Sequence, residues 1–404
     1  MLKTDIDSYA DVEFELHWKS HYGTHTERLF AEKVKLGWDV LPIDLRDKLM
    51  NRSVGDSVET TLNSGEMIPN PDPVKLFPVK SSQFENKLLP DIIINSRRGR
   101  FYPKGILRDV PNVFRTNQEP FRCAEVNNSH ILVDFNHALS GIDLNVKATV
   151  RDIKRKASTS VMGVMINDWM EILTTGPGMQ SRWNRQPTDF FSDNAFARLV
   201  ESDDSNFYKK PRFVDHLDET AMENVSALYG KILHTGSNVL DLMSSWKSHI
   251  SPDLKLGRFA GLGMNKEELE RNERLTDTIV QDLNKNHILP FVDKSFDAVI
   301  CTASVEYLTN PVAVFKEVGR ILKSGGCFIL TFSNRWFPPK AISMWQHMYE
   351  FERMGLVSEY FLLSDVFEGI CTQSVRGLPR PEGDKYFGEL FVSDPIYGIW
   401  AFKR

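Results

Sequence analysis

Between residues 238 and 332, short apolar runs alternate with stretches of helical spacing, and no other feature limits the fold of this chain so narrowly. Residues 238–243, 298–302 and 327–332 are short and apolar, the mark of buried strands. Residues 266–276 are helical in composition. Residues 311–322 have helical spacing and run into Lys323-Ser324-Gly325-Gly326, a basic residue followed by glycines that stop a helix. Strands separated by helices make parallel βαβ units, so an α/β, doubly wound domain is expected over residues 207–404. Such sheets bind ligands at the carboxyl ends of their strands, so the residues that follow each apolar run are the candidate site.

The first 153 residues read differently. Residues 12–19 (VEFELHWK), 54–62, 123–135 and 144–153 alternate or cluster apolar residues as strands do, and helix signals are few. Residues 63–82 hold Pro69, Pro71, Pro73 and Pro78, an irregular connection, and residues 136–141 form a loop. A mainly β (α+β) domain over residues 1–153 is expected, followed by a connector over 154–206 with a Thr175-Gly176-Pro177-Gly178 turn. A length of 404 residues suits such a multidomain chain. With 41% hydrophobic and 25% charged residues it can bury real cores. The net charge of −5 supplies no basic field, so neither nucleic acid nor a membrane surface is expected as a partner. Cys123, Cys301, Cys327 and Cys371 form no CxxC pair, which fits a reducing compartment and suggests no metal site. The opening MLKTDIDSYADVEFEL lacks the apolar core of a secretion signal, and no apolar run approaches the roughly 20 residues of a membrane span. A cytoplasmic protein is expected.

Four strand ends carry candidate chemistry. At the first, Asp241 precedes Met243, Ser244 and Ser245. Small residues let the backbone pass close to a ligand and the carboxylate can meet an ammonium group; equally, the serines can cap a helix. At the second, Met264 and Asn265 precede a Glu-rich helix, with Asn265 read as a ligand contact, an N-cap, or both. The third holds Asp282 and Leu283. The fourth holds Ser304, Val305 and Tyr307, directly after residues 298–302. Upstream, the segment 207–216 supplies Tyr208, Arg212 and His216. A histidine titrates near pH 6.5, so His216 is read as a general base or as a structural residue. Arg335, Trp336 and Lys340 follow a strand end and are read as acceptor-pocket or loop residues. Asp297, which opens a strand, is read as structural.

The run LPFVDKSFDAVICTASVEYLTNPVAVFKEVGRILKSGGCFILTFSNR resembles the core of the type 11 class I S-adenosylmethionine (SAM)-dependent methyltransferases, and the resemblance extends over residues 239–334. It implies a Rossmann-like fold, S-adenosyl-L-methionine as cofactor, and a methyl acceptor, small molecule or protein, as partner. It makes Asp241, Met243, Ser244, Ser245, Met264, Asn265, Asp282, Leu283, Ser304 and Val305 cofactor-binding residues. Tyr208, Arg212, His216 and Tyr307 become the catalytic candidates. Asp282 is implied to bond the adenine amino group, with Leu283 against the ring. The family's Asp/Glu-x-Gly-x-Gly-x-Gly loop reads Asp241-Leu-Met-Ser-Ser-Trp-Lys here, and its acidic ribose ligand is matched by Asn265. A subgroup shares this loop, the Phe-Tyr-x-x-Pro-Arg-Phe-Val-x-His segment at 207–216, and a closing strand at 394–403.

Arg100-Phe101-Tyr102, Leu107 to Phe114, the Val133-Asp-Phe-Asn-His-Ala-Leu-Ser-Gly141 segment and the strand after it resemble SlyD-type FKBP peptidyl-prolyl isomerases. The resemblance covers residues 11–153 and implies an inserted flap at about 109–135. It implies an apolar isomerase pocket of Trp38, Leu41, Pro42 and Tyr102, and proline-containing or unfolded polypeptides as partners. Trp38, Leu41 and Tyr102 can equally be plain core. Three readings follow: a methyltransferase coupled to an FKBP-like domain; a prolyl isomerase or chaperone whose α/β half is a scaffold; and a SAM-binding regulator without catalysis.

Overall fold

The computed structural model describes residues 2–89, 92–155 and 165–404. The chain opens with a long hairpin, β1 (Ser8–Lys19) and β2 (Gly23–Val34), which the sequence reading saw only in part. Val12, Phe14, Leu16 and Trp18 alternate inward, so the period-2 pattern fixes which face is buried. Helix α1 (Ile43–Leu49) buries Leu45 and Leu49 against this face, and β3 (Ser57–Leu62) joins the sheet edge.

The chain then leaves the sheet. It forms β4 (Leu76–Lys80), β5 (Lys87–Leu89), β6 (Ile92–Ile93), β7 (Phe101–Pro103), β8 (Pro120–Val126) and β9 (His130–Asp134). It returns as β10 (Leu144–Arg155), giving the local order β2-β1-β10-β3. Strands β4, β9, β8 and β7 make a separate sheet with its own core, including Phe84, Tyr102, Phe121, Ile131 and Val133. Two expectations are corrected. The single strand at 123–135 is two strands, reversed at Asn127, whose Oδ1 accepts the amides of Ser129 and His130. The excursion is also wider than 109–135, because its strands run from Leu76 to Asp134. The outer strands β4 and β7 are short and contain proline, so they leave little periodic trace.

The second half supplies α2 (Trp169–Thr174), α3 (Asp204–Tyr208), α4 (Glu219–Ile232), β11 (Val239–Leu242), β12 (Phe259–Gly263), α5 (Lys266–Arg271) and β13 (Asp277–Val280). These are followed by β14 (Phe296–Thr302), α6 (Pro311–Ile321), β15 (Leu322–Phe332), α7 (Ser343–Gln346), α8 (Glu350–Ser364), β16 (Phe367–Arg376) and β17 (Ile396–Lys403). The expected helix over 266–276 stops at Arg271, and β13, an edge strand of mixed polarity, lies just beyond it. The strand order is β13-β12-β11-β14-β15-β17-β16, parallel except for β17, which runs against both neighbours. Among the described residues no helix is long and apolar enough to cross a membrane.

The two halves share one sheet. Strand β16 pairs in parallel with β2, from Ile370 opposite Gly23 to Arg376 opposite Leu29, so eleven strands run from β13 to β3. A Cβ on Gly23 would collide with the carbonyl of Ile370, so only glycine lets the strands approach here. Behind the seam Glu27 is fully buried; it accepts from Trp18 Nε1 at 3.3 Å, Gln180 Nε2 at 3.0 Å and the hydroxyl of Ser374. The His25 ring lies between Thr372 Oγ1 at 2.8 Å and Ser20 Oγ at 2.9 Å, stacked on Trp18. The small sheet docks on α8 through a buried ion pair, Arg100 Nε to Glu352 Oε1 at 2.8 Å. The expected boundaries at 153 and 207 therefore mark a change of topology, not the ends of separate bodies. The described part of the expected connector packs between the halves, with Arg182 on Glu359 at 2.6 Å. Residues 156–164 of that connector lie outside the described residues.

Candidate functional site

The parallel strands β11, β12, β13 and β14 all end on one edge, so their following loops meet in one cleft. It measures about 1210 Å³ with its open mouth included. Asp241, Met243, Ser244, Ser245, Met264, Asn265, Asp282, Leu283, Ser304, Tyr307, Tyr208, Arg212 and His216 all line it. Of the expected cofactor residues only Val305 turns away; it is 1% exposed and packs in the main core.

Asp241, one residue before the end of β11, is 3% exposed. Its Oδ2 accepts from Ser244 Oγ at 2.6 Å and Ser248 Oγ at 2.5 Å, and Asn272 Nδ2 supports Ser248 at 2.7 Å. The serines thus do what their loop position requires in another way: they hold the carboxylate and do not cap a helix. Burial pushes the Asp241 carboxyl up to about 7. Met243 and Ala303, at the first and fourth strand ends, both adopt left-handed backbone with φ of 59° and 46°. Such residues cost about 1–3 kcal/mol and gather at ligand sites.

Asn265 is spent on structure. Its Oδ1 caps α5 by accepting Glu268 N at 3.1 Å, and its Nδ2 donates to the carbonyls of Tyr208 at 2.8 Å and Lys209 at 3.2 Å. Of the two roles expected of Asn265, the N-cap is the one its side chain performs, and both its amide hydrogens are committed to the strap carbonyls. Gly263, not Asn265, ends β12, and a Cβ there would collide with the Ser244 carbonyl. Glu268, one turn into α5, lines the cleft instead. Its carboxylate accepts from Ser245 Oγ at 2.6 Å and Arg212 N at 2.7 Å. The sequence reading missed it because an acid in a Glu-rich helix looks like a solvated face.

Residues 204–216 form a strap across the mouth. Asp204 anchors it, paired with Lys340 Nζ at 2.8 Å and Arg198 Nη1 at 2.7 Å and bonded by Asn284 Nδ2 at 3.0 Å. Lys340 is fully buried, so it holds the strap and does not shape an acceptor pocket. Trp336 lies under the Arg353 guanidinium at 4.3 Å and does not line the cleft, whereas Phe337 does. Phe337 meets the edge of His216 at 5.1 Å, and its amide donates to the Tyr307 hydroxyl at 2.8 Å. The Arg212 guanidinium stacks 4.5 Å from Phe207 and 5.4 Å from Phe337. Asp297 ties Asn238 N at 2.8 Å to Lys323 Nζ at 2.7 Å, a structural role.

With this geometry in view, the match to known proteins is informative. The family described as "Methyltransferase domain" matches residues 249–330, the stretch that supplies β12, β13 and β14 and their cleft-lining loops. Residues 249–330, within the C-terminal half, thus have the likeness of a SAM-dependent methyltransferase domain. Its cofactor is S-adenosylmethionine.

The chain is 27% identical over 218 residues to the biotin biosynthesis bifunctional protein BioHC of Teredinibacter turnerae, covering 52% of this chain and 38% of that one. It is 28% identical over 185 residues to the ubiquinone/menaquinone biosynthesis C-methyltransferase UbiE of Chromobacterium violaceum, covering 43% of this chain and 73% of that one. This chain thus spans about two fifths of the first relative. Among solved structures, a SAM-dependent methyltransferase from Aquifex aeolicus aligns over 50% of this chain and 97% of its own, at 13% identity and a TM-score of 0.31. One from Mesorhizobium loti aligns over 44% and 96%, at 14% identity and a TM-score of 0.31.

The methyltransferase domain's cleft suits this cofactor in its donor set. Asp241 offers a carboxylate for an ammonium group, and Asp282, whose Oδ1 takes only the Asn284 amide, offers one for an amino group beside apolar Leu283. The expected isomerase pocket, by contrast, is not assembled. Tyr102 sits 4% exposed in the small sheet's core, registered opposite Phe121, with its hydroxyl on the Asn95 carbonyl at 2.8 Å. Leu41 belongs to the long hairpin's core, Pro42 precedes α1, and Trp38 is 57% exposed.

Proposed function

We propose that the chain transfers a methyl group from S-adenosylmethionine to an acceptor held between the strap and the fourth strand end. The observation that carries this reading is the convergence of Asp241, Asp282, Tyr208, Arg212, His216 and Tyr307 on one cleft. The bound cofactor supplies an electrophilic methyl on a sulfonium. A nucleophilic atom of the acceptor forms the new bond to carbon as the carbon–sulfur bond breaks, and the sulfur keeps the electron pair. The walls of Tyr208, Tyr307 and Phe337 exclude water and hold the acceptor in line, which is most of what this reaction asks of a protein. His216, at the rim, takes the proton that the acceptor releases. Arg212 fixes a positive charge over the aromatic wall and orients an electron-rich acceptor. The test is direct: the full chain with methyl-labelled cofactor and candidate acceptors must yield S-adenosylhomocysteine and labelled product. Tight cofactor binding with no turnover on any acceptor class leaves the SAM-binding regulator as the surviving reading.

The N-terminal half, in this proposal, presents a polypeptide. Trp38, Val40 and Ile43 are exposed beside Met165 and Ile166, because the Val40 amide bonds the Asn167 carbonyl at 2.9 Å. Clustered exposed apolar side chains mark contact surfaces. Binding of an unfolded polypeptide by the full chain, weakened by Trp38→Ala, supports that role; an unfolded polypeptide that fails to bind the full chain overturns it.

A further inference from the structure

Doubly wound folds place an acidic residue at the end of the second strand, where it bonds the ribose hydroxyls of a bound nucleotide. Here the second strand, β12, ends at Gly263, and that position is closed to any side chain. The loop after β11, threaded through the left-handed Met243, lays the Ser244 carbonyl where a Cβ would stand. Asn265, the next polar residue, has its acceptor on Glu268 N and its donors on the carbonyls of Tyr208 and Lys209. A neighbour on the next strand end, Gln281, donates through Nε2 to the carbonyls of Asn286 and Ile288. No charged acceptor stands at this strand end, and a carboxylate nearby, that of Glu268, still has capacity for hydroxyl donors.

We infer that Glu268 grips the cofactor's ribose diol, replacing the strand-end acid from a position one turn along α5. This deepens the cofactor reading above and rests on it. Each carboxylate oxygen has two lone-pair sites, and Glu268 uses one on each: Oε1 for Arg212 N at 2.7 Å, Oε2 for Ser245 Oγ at 2.6 Å. One site therefore remains on each oxygen, which matches the two adjacent hydroxyl donors of a ribose. The residue is partly buried in the cleft wall, between the β11 loop and the strap. The same carboxylate thus ties three things together: the loop that stands in for the glycine-rich turn, the strap through Arg212, and the ribose.

The test is a cycle on the full chain by calorimetric titration. Wild type and Glu268→Gln are each titrated with S-adenosylhomocysteine and with its 2′-deoxy analogue. Wild type is expected to prefer the intact ribose by about tenfold, the scale of one hydrogen bond to a charged group. Glu268→Gln is expected to bind S-adenosylhomocysteine about tenfold more weakly and to lose most of that preference, because the hydroxyl has lost its charged acceptor. An equal loss for both ligands, with the preference intact, overturns the inference: Glu268 would then only position the strap. Wild type that binds neither ligand overturns the cofactor reading itself, and this inference falls with it. If Glu268→Gln fails to fold, as judged by its thermal transition, Glu268→Asp replaces it, with the shortened carboxylate expected to halve the preference at least. Asn265→Asp is a second arm: it is expected to bring no gain in affinity, and a gain would return the ribose to Asn265.

Discussion

The two ends of the long sheet are built by different rules, and they do different work. At the β13–β17 end, strands such as β11 and β12 are buried along their whole length and run parallel. Each must return through a crossover, so every strand of a set ends on the same edge, and loops distant in sequence share one cleft. At the β2–β3 end the strands are antiparallel and alternate buried with exposed residues, and hairpins scatter their ends over both edges. A cleft arises at the first end from topology alone. The second end offers faces and an edge, and the edge is used to join the two halves. The contrast teaches that this methyltransferase domain is held from one side by a partner built into the same chain.

The largest test of that contrast is Arg100→Ala. It leaves Glu352, 1% exposed, as a buried carboxylate without its cation, and such a break costs about 3–5 kcal/mol. Urea unfolding followed by tryptophan emission and by far-ultraviolet circular dichroism is expected to shift as one transition to lower midpoint. Two separated transitions in the wild type would show that the halves fold independently, and the shared sheet would then be no more than adjacency.

Next comes the cleft. Asp241→Ala is expected to weaken SAM binding by about 1.5–3 kcal/mol, roughly 10- to 150-fold, because it removes a charged partner for the cofactor's ammonium. The same residue gives a pH dependence with a definite sign. Burial raises the Asp241 carboxyl to about 7, so at pH 6 a proton must leave before the ammonium can pair. Affinity is therefore expected to rise about tenfold between pH 6 and pH 8, and Asp241→Asn is expected to flatten that rise. For the unliganded fold the sign is opposite. A raised carboxyl favours the folded state most below its ordinary pKa, and that stability is lost as pH climbs through 7. A flat affinity profile in the wild type removes Asp241 from the ammonium site. Asp282→Ala follows at a smaller scale, a loss of about 0.5–1.5 kcal/mol in cofactor affinity, since its bond is to a neutral amino group.

The same contrast explains which features could be read from the chain. The strand ends at Asp241, Asp282 and Ser304 were legible because a run of apolar residues marks each strand and topology does the rest. Val305 was not, because its direction depends on a turn of local backbone that no periodicity reports. The choice between the two expected roles of Asn265 and the place of Glu268 in the cleft wall were not legible, for a reason written two loops away: Ser244 occupies the space over Gly263, and that contact joins residues 19 apart in sequence. Tyr102 was assigned to a pocket that it does not enter, since its neighbours are set by the register of β7 on β8. The pairing of β16 with β2, across nearly the whole chain, left no sequence signal beyond a glycine at position 23.

The smallest expected effect falls on the face where sequence and structure diverge most. Trp38 is 57% exposed, and its backbone amide closes a turn on Lys35 whatever side chain it carries. Trp38→Ala is therefore expected to change unfolding free energy by no more than about 0.5 kcal/mol, the usual range for surface substitutions. Cofactor affinity should be untouched, since Trp38 is not among the cleft residues. What the substitution can change is a partner's binding, because Trp38 adds to an exposed apolar face with Val40 and Ile43. A cost well above 1 kcal/mol would mean that Trp38 is packed in the folded chain after all. The apolar face around it would then belong to the core of the N-terminal half, and that half would act on the methyltransferase domain only as a scaffold.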